Sequence, residues 1–206
     1  TQVSCTTPSV QEAQLVSISL SLNGQDFSPF FYEDLFYYFP TPEIFEIYPR
    51  GGPAESGGHA LVRGKGFLNS AGILCRVGVA VTTGTFVNDT FVKCVIPQIQ
   101  RKIYSQTVES LGIQPEILPD SFAVYPVQAY PIEISVDGQT FSDSGIKYTY
   151  YSTPVLDQIV PNSGAKSALT TVAIINGANF RNDFGGPFCR FAGVGATKAV
   201  FMSDRS

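Results

Sequence analysis

The sequence lacks tryptophan, has one histidine and carries few charged side chains, and each shortage argues against a class of function. Only 15% of its 206 residues are charged, against about 25% in an average soluble domain. The 13 lysines and arginines are outnumbered by 17 aspartates and glutamates, which gives a net charge of −4. Because nucleic-acid binding depends on clustered positive charge, we expect no nucleic-acid partner.

A membrane-spanning segment and a secretory leader are also missing from the sequence. No apolar stretch approaches the roughly 18 residues that a transmembrane helix needs. Residues 1–9 lack the basic start and the apolar centre of a leader, so the leader of an exported protein would have been removed or would lie outside this chain. A hydrophobic content of 44% is enough to bury a core, which argues against disorder.

The short motifs that might serve catalysis have simpler explanations. Ser56 lies in a turn and not in a Gly-x-Ser-x-Gly nucleophile elbow. His59 follows two glycines at the step from a turn into a strand, where we expect a surface histidine. The Gly-x-Gly fragments at 64–66 and 193–195 lack the helix that follows a phosphate-binding loop. We therefore expect no catalytic residue and no cofactor.

Two further groups of side chains are candidate ligand sites. The pairs Glu33-Asp34 and Asn182-Asp183 offer oxygen ligands but lack the regular spacing of calcium sites, so we expect no bound metal ion. The aromatic cluster at 30–39 is typical of a sugar platform or a protein contact, but its main role is expected to be packing within and between modules.

The four cysteines are spaced too widely for a zinc site. Cys5, Cys75, Cys94 and Cys189 include no Cys-x-x-Cys pair. Cys75 and Cys94 lie in short apolar segments that predict neighbouring strands, so they form either a disulfide or two buried thiols. The only Asn-x-Ser/Thr sequon begins at Asn88, which makes Asn88 the candidate for an N-linked glycan in an oxidising, exported setting.

Strand patterns dominate the sequence, and they repeat. From Val16 to Leu22 apolar residues alternate with serine, as in a half-buried strand. Asn23-Gly24 then predicts a turn, and residues 36–39 predict the returning strand. The same order of strand, turn and returning strand recurs about 114 residues later, in residues 132–136, 137–138 and 148–151.

Four further pairs of segments match one another in order. They are 42–49 with 154–161, 64–67 with 177–180, 75–78 with 189–193, and 90–97 with 1–8. The offset is 112 to 114 residues except in the last pair, where it is 89. The difference locates an insertion at about 99–124, which is either a surface loop or a contact element for a neighbour.

These ordered motifs resemble the IPT/TIG module, the immunoglobulin-like domain of plexins, fibrocystin-like proteins and many microbial surface proteins. The shared features are Pro-x-apolar-x-x-Ile-x-Pro, a glycine-bearing turn, Gly-x-x-Phe, Cys-Arg-Phe-x-Gly and Val-x-Cys-x-x-Pro. The resemblance covers nearly the whole chain except the insertion. It implies an all-β fold of tandem immunoglobulin-like (IPT/TIG) β-sandwich modules, in agreement with many short strands and frequent turns. It also implies that Cys75 and Cys94 form the module's disulfide.

The repeats divide the chain into one complete module and one half-module on either side of it. Residues 40–151 form a complete module that contains the insertion, residues 1–39 form the C-terminal half of a module, and residues 152–206 form the N-terminal half of one. Joining the end of the sequence to its start would place Cys189 and Cys5 in one module, 22 residues apart, against 19 in the intact copy. We therefore predict a second disulfide between Cys5 and Cys189, within or between chains.

A half-sandwich exposes unpaired strand edges and half a core, so we expect each half to be completed. Three arrangements remain open. Identical copies complete one another head-to-tail and form a filament; or the chain is one period of a longer tandem polypeptide, with flanking modules as partners; or the two ends fold onto each other within one chain.

These expectations describe a non-enzymatic structural protein that is extracellular or lies at the cell surface. It would be the repeating unit of a linear fibril or surface stalk, built from disulfide-locked modules with half-module complementation between successive copies. The alternative is a ligand-binding or adhesive ectodomain segment of a cell-surface receptor with IPT/TIG repeats. A DNA-binding immunoglobulin-like domain fits the acidic charge poorly.

Overall fold

The structure is a computed structural model that describes residues 2–29, 35–99, 127–166 and 171–202. Within these ranges the chain forms fourteen β-strands and no helix. The predicted insertion at 99–124 lies outside the described residues, apart from Ile99.

Eight strands belong to the central part of the chain, and six flank it. The central strands are β3 (Glu43–Tyr48), β4 (Gly51–Pro53), β5 (Gly58–Lys65), β6 (Leu74–Val77), β7 (Ala80–Asn88), β8 (Phe91–Ile96), β9 (Gln128–Ser135) and β10 (Lys147–Tyr151). The flanking strands are β1 (Gln14–Ser17), β2 (Leu35–Tyr38), β11 (Val155–Val160), β12 (Ile174–Ala178), β13 (Phe188–Phe191) and β14 (Gly195–Lys198).

The central strands form one ladder in the order β3-β5-β8-β7-β6-β9-β10-β4. Side chains alternate between buried and exposed along β5 and β8, as expected for strands with one face on a core. The buried side chains of both halves of the ladder join a single hydrophobic core, which includes Val62, Val92, Ile134 and Tyr150. The ladder therefore folds over into two facing layers, and the predicted immunoglobulin-like β-sandwich is confirmed.

One pairing differs in direction from the other pairings of the ladder, which are antiparallel. β4 pairs with β10 in parallel, with Gly51 opposite Thr149. β3 and β4 form the two ends of the ladder, yet only two residues connect them, so the chain crosses from one layer to the other and enters beside β10. A side chain at Gly51 would bring its Cβ within 2.5 Å of the Thr149 carbonyl oxygen, so the crossing requires glycine there.

The flanking strands form three separate two-stranded sheets, β1-β2, β11-β12 and β13-β14. Among the described strands, no ladder joins the first of these sheets to the other two. The strand predicted from Val16 to Leu22 is shorter than expected, because β1 ends at Ser17 and only Ser21 adds an isolated bridge, to Phe27. The corresponding strand of the central module, β9, is longer because β6 pairs along its other edge.

The flanking sheets nevertheless repeat the registers of the central module. Gln14 lies opposite Tyr38 in β1-β2, as Gln128 lies opposite Tyr150 in β9-β10. The β11-β12 ladder has a register shift between Leu156 and Gln158, and the β3-β5 ladder has one at the matching residues, Ile44 and Glu46. The internal sequence repeat therefore corresponds to a repeat of local structure.

Candidate functional site

The intact module is closed by a buried disulfide between Cys75 on β6 and Cys94 on β8, with Cα atoms 5.8 Å apart and both residues fully buried. The two strands were expected to be neighbours, but β7 lies between them in the ladder. The bond therefore joins two strands that are not adjacent in the ladder. Gly84 on β7 makes room for it, since an added Cβ would lie 3.1 Å from the Cys75 Sγ. Sequence reasoning did not single out Gly84.

The other two cysteines are free thiols. Cys5 is exposed, and Cys189 is partly buried on β13. Cys189 lies opposite Thr197 in the β13-β14 hairpin, as Cys75 lies opposite Thr82 in β6-β7. Cys189 therefore occupies the same place in its hairpin as the bonded Cys75, and its bond with Cys5 stays a prediction.

Asn88 is exposed at the end of β7, where the chain turns into β8. Its Oδ1 accepts hydrogen bonds from the backbone N–H and the hydroxyl of Thr90, at 3.0 and 2.8 Å. The N–H of Gly64 donates to the Thr90 carbonyl at 2.9 Å, and the N–H of Phe67 donates to the Asp89 carbonyl at 3.3 Å. The turn that carries the sequon is thus anchored to the module and open to solvent.

The weaker candidates occupy ordinary surface positions. His59 is exposed on β5, opposite Val95, and the exposed Ser56 hydroxyl donates to the neighbouring Gly57 carbonyl at 3.3 Å. Arg181 hydrogen-bonds to Asp183 and holds the pKa of that carboxyl below its usual value. Among the described residues, no three histidine, cysteine or acidic side chains group together as a metal site would require. The acidic pair at 33–34 lies outside these residues.

Each flanking half carries an exposed apolar face. Ile134 and Ile44 are buried in the intact module, but their repeat counterparts Leu20 and Leu156 are 44% and 61% exposed. The N-terminal inner face, as we call it, consists of Ile18, Leu20, Leu22 and Phe36. The C-terminal inner face consists of Leu156, Ile159 and Phe191. All seven side chains are exposed, whereas their seven counterparts in the intact module are buried.

An ion pair and an aromatic ring connect β6 to β9 on the outside of the intact module. Arg76 pairs with Glu133, and its guanidinium carbon lies 4.1 Å from the centre of the Phe141 ring. Hydrogen bonding to Glu133 raises the pKa of Arg76. The counterparts of Arg76 and Phe141 are Arg190 and Phe27, and the ring of Phe27 is exposed.

The intact module also contacts the half-module that follows it. The Thr153 hydroxyl donates to the Glu55 carboxylate at 2.8 Å, and the Asn179 amide donates to the Thr153 carbonyl at 3.2 Å. The ring of Phe184 lies against Tyr151 at the end of β10. The junction between the two units is therefore built from specific side-chain contacts.

Comparison with known proteins identifies the family. A family model described as the IPT/TIG domain matches residues 42–150, which is 109 of the 206 residues. No curated protein matches the chain significantly.

Among solved structures, the chain is similar to the extracellular region of plexin A4 in two crystal forms. In the structure of domains 1 to 10, the identity is 18% over 83% of this chain, with a TM-score of 0.46. In that of domains 1 to 8, it is 22% over 68%, with a TM-score of 0.41. This chain spans 12% of the length of each.

The described residues contain no helix with the length and apolarity to span a membrane. A core disulfide such as Cys75–Cys94 is typical of proteins that fold in oxidising compartments, and the chain is an extracellular or cell-surface protein.

Domains of the matched family are typically non-enzymatic. Since the family model covers more than half of the sequence, the chain belongs to the IPT/TIG domain family.

Proposed function

We propose that the chain is part of a ligand-binding or adhesive ectodomain of a cell-surface receptor, in which IPT/TIG modules follow one another and act without catalysis. In this proposal residues 40–151 are one module, and residues 1–39 and 152–206 are halves of others. The supporting observation is the direct junction of an intact, disulfide-bonded module with the first strands of a second one, through Thr153 and Glu55.

Asn88 supports the extracellular role, because an exposed sequon on an anchored turn is accessible to the glycosylation machinery. Production of the chain through a secretory pathway tests this. We expect Asn88→Gln to lower the intact mass by one glycan. Thr90→Ser, the matched control, keeps the sequon and should keep the glycan. Secreted, folded chain with no glycan at Asn88 would contradict this part of the proposal.

Adhesion is tested by displaying the chain on cells through a membrane anchor. Cells that carry the chain should adhere to chain-coated beads or to one another. Beads coated with reduced and alkylated chain are the control, because they carry the same sequence without the folded module. Correctly folded, displayed chain that promotes no adhesion would contradict the adhesive role.

A linear fibril or surface stalk is the second candidate, and the two exposed inner faces favour it. Successive copies would complete one another's half-modules head-to-tail, with Cys5 bonded to Cys189 of the neighbour. A contact between two different surfaces does not close on itself, so it propagates into a filament. Electron microscopy of the oxidised chain should then show linear particles, and isolated particles at high concentration would contradict this candidate.

A further inference from the structure

We propose that the intact module is a load-bearing element, in which the first and last strands resist tension along the chain and the core disulfide limits how far the module can lengthen. This inference rests on the proposed function, because an adhesive contact on one module of a tethered ectodomain pulls on the modules between that contact and the anchor. It adds a mechanical function that adhesion by itself does not require.

The chain enters and leaves the intact module at opposite ends. From β3 to β10 the ladder contains six pairings, and all of them are antiparallel. Six reversals restore the original direction, so β3 and β10 run the same way, and strands in two facing layers stay within about 30° of each other. Tension on the flanking segments therefore acts along both terminal strands and cannot peel either of them from its end.

The parallel pair of β4 and β10 is loaded in shear. The Thr149 N–H donates to the Arg50 carbonyl at 3.0 Å, and the Ala54 N–H donates to the Tyr151 carbonyl at 2.9 Å. β4 is joined through β3 to the entry of the module, whereas β10 leads to its exit. Tension therefore drives the two strands past each other, and the hydrogen bonds between them must break together and not one after another.

Buried side chains hold both terminal strands in place. On β10, Tyr148 and Tyr150 are buried, and the Tyr150 hydroxyl donates to the Pro97 carbonyl at 2.8 Å. On β3, Ile44 and Ile47 are buried, and two ion pairs join this strand to β5 on the exposed side. Sliding of either strand must therefore pull large side chains out of the core, which adds to the resistance of the hydrogen bonds.

The core disulfide lies away from this path and acts only after the module opens. Cys75 and Cys94 lie on β6 and β8, which are inner strands of the ladder. The bond closes a span of 19 residues. Since an extended chain reaches about 3.3–3.6 Å per residue, the bond withholds about 65 Å of length from an opened module.

The direction of loading is tested by pulling single molecules of the full chain in optical tweezers. One variant serves both geometries, with Cys5→Ser and Cys189→Ser to remove the free thiols and Val79→Cys to add one. Val79 is 99% exposed in the turn between β6 and β7, so the variant should fold normally. In the axial geometry the handles attach to peptide tags at the two ends of the chain.

In the transverse geometry the handles attach at residue 79 and at the C-terminal tag. The turn at Val79 precedes β7, which begins at the exit end of the module, so this pull acts across β10 and peels it. We expect the module to open at a higher force in the axial geometry, although the protein and its stability are the same. Equal forces, or a lower axial force, would overturn the proposal.

The locked span is tested in the axial geometry with a thiol reductant. We expect one further lengthening of about 65 Å, and only after the module has opened, because both cysteines are buried in the folded module. Combined Cys75→Ala and Cys94→Ala should release this length in the first step without reductant. The reductant-dependent step also distinguishes the intact module from the half-modules, and its absence would contradict the proposed limit on extension.

The clamp between β4 and β10 is tested by two substitutions of similar size. Gly51→Ala should weaken it, because the added Cβ would lie 2.5 Å from the Thr149 carbonyl oxygen. Val92→Ala is the control for a general loss of stability, since Val92 is buried on the inner strand β8. For the same loss of stability in denaturant, Gly51→Ala should lower the axial opening force more. Equal losses of force would exclude this strand pair as the clamp.

Failure of this inference can be told apart from failure of the proposed function. A chain that promotes adhesion in the bead assay but opens as easily under axial as under transverse load would overturn the load-bearing role alone. A chain that resists axial load but promotes no adhesion would support the mechanical inference and contradict the adhesive role.

Discussion

The ring of Phe184 stacks on the ring of Tyr151, with centroids 5.5 Å apart and planes 23° apart. Tyr151 ends the last strand of the intact module, and Phe184 precedes β13 of the next half-module. Phe184 has a φ of 63°, which residues other than glycine rarely adopt. A Cβ at Gly51 would lie 2.8 Å from the Phe184 ring, so Gly51 lets the ring approach. The stack therefore restrains the junction between the two units.

Phe184→Ala should loosen this junction without unfolding the intact module. A stacked aromatic pair contributes about 0.5–1.5 kcal/mol beyond its buried area, and its loss leaves mainly the hydrogen bonds of Thr153. We expect backbone ¹⁵N relaxation to show increased motion of residues 155–160 relative to β10. Phe188→Ala is the control, because Phe188 is exposed on β13. Equal motion in the two variants would show that the stack does not restrain the junction.

The sequence predicts those parts of the fold that depend on local order and on the internal repeat. The turn at Asn23-Gly24 and the strand pattern around Ile134 follow from side-chain alternation and turn chemistry alone. The bond between Cys75 and Cys94 follows from the family resemblance.

The remaining features arise from tertiary contacts that no local pattern encodes. The parallel pairing of Gly51 with Thr149 exists only because the ladder folds over and brings its two ends together. The contact of Phe184 with Tyr151 lies in a loop that is one residue longer than its counterpart in the first copy, so the repeat could not reveal it.

Removing the core disulfide should strongly destabilise the intact module. The bond closes a loop of 19 residues, for which chain entropy predicts a stabilisation of about 3 kcal/mol. We expect Cys75→Ala combined with Cys94→Ala to lower the free energy of unfolding by that amount in chemical denaturation. The double variant Cys5→Ser, Cys189→Ser is the control and should leave this transition unchanged. A similar loss in both would mean that the core disulfide has no special role.

Two glycines on β5 should respond differently to the same substitution. Gly64 packs against the Glu43 carbonyl, and an added Cβ would also lie 2.6 Å from the Phe67 ring. Gly64→Ala must therefore displace backbone at the register shift between β3 and β5, and we expect a loss of at least about 2 kcal/mol. Gly58 has no atom within 4 Å of an added Cβ, so Gly58→Ala should be within about 0.5 kcal/mol of the parent. Equal midpoints in thermal unfolding would contradict the packing argument.

The stability of the intact module should fall at alkaline pH because of buried tyrosines. Burial, together with the nearby Tyr151, raises the pKa of Tyr148 to about 12, and burial also raises the pKa of Tyr150. In the unfolded chain these hydroxyls ionise near pH 10. Between pH 10 and 12 the unfolded state therefore binds fewer protons than the folded state, and the free energy of unfolding decreases as pH rises.

A shift of about two pKa units at Tyr148 corresponds to at most about 3 kcal/mol, present in full below pH 10 and lost progressively up to about pH 12. Tyr148→Phe removes this ionisation, so we expect a shallower decline between pH 9 and 11.5 in denaturant titrations. Tyr37→Phe is the matched control, because Tyr37 is exposed on β2 and should keep the parent slope. An unchanged slope in Tyr148→Phe would show that Tyr148 is not the group whose ionisation is suppressed by burial.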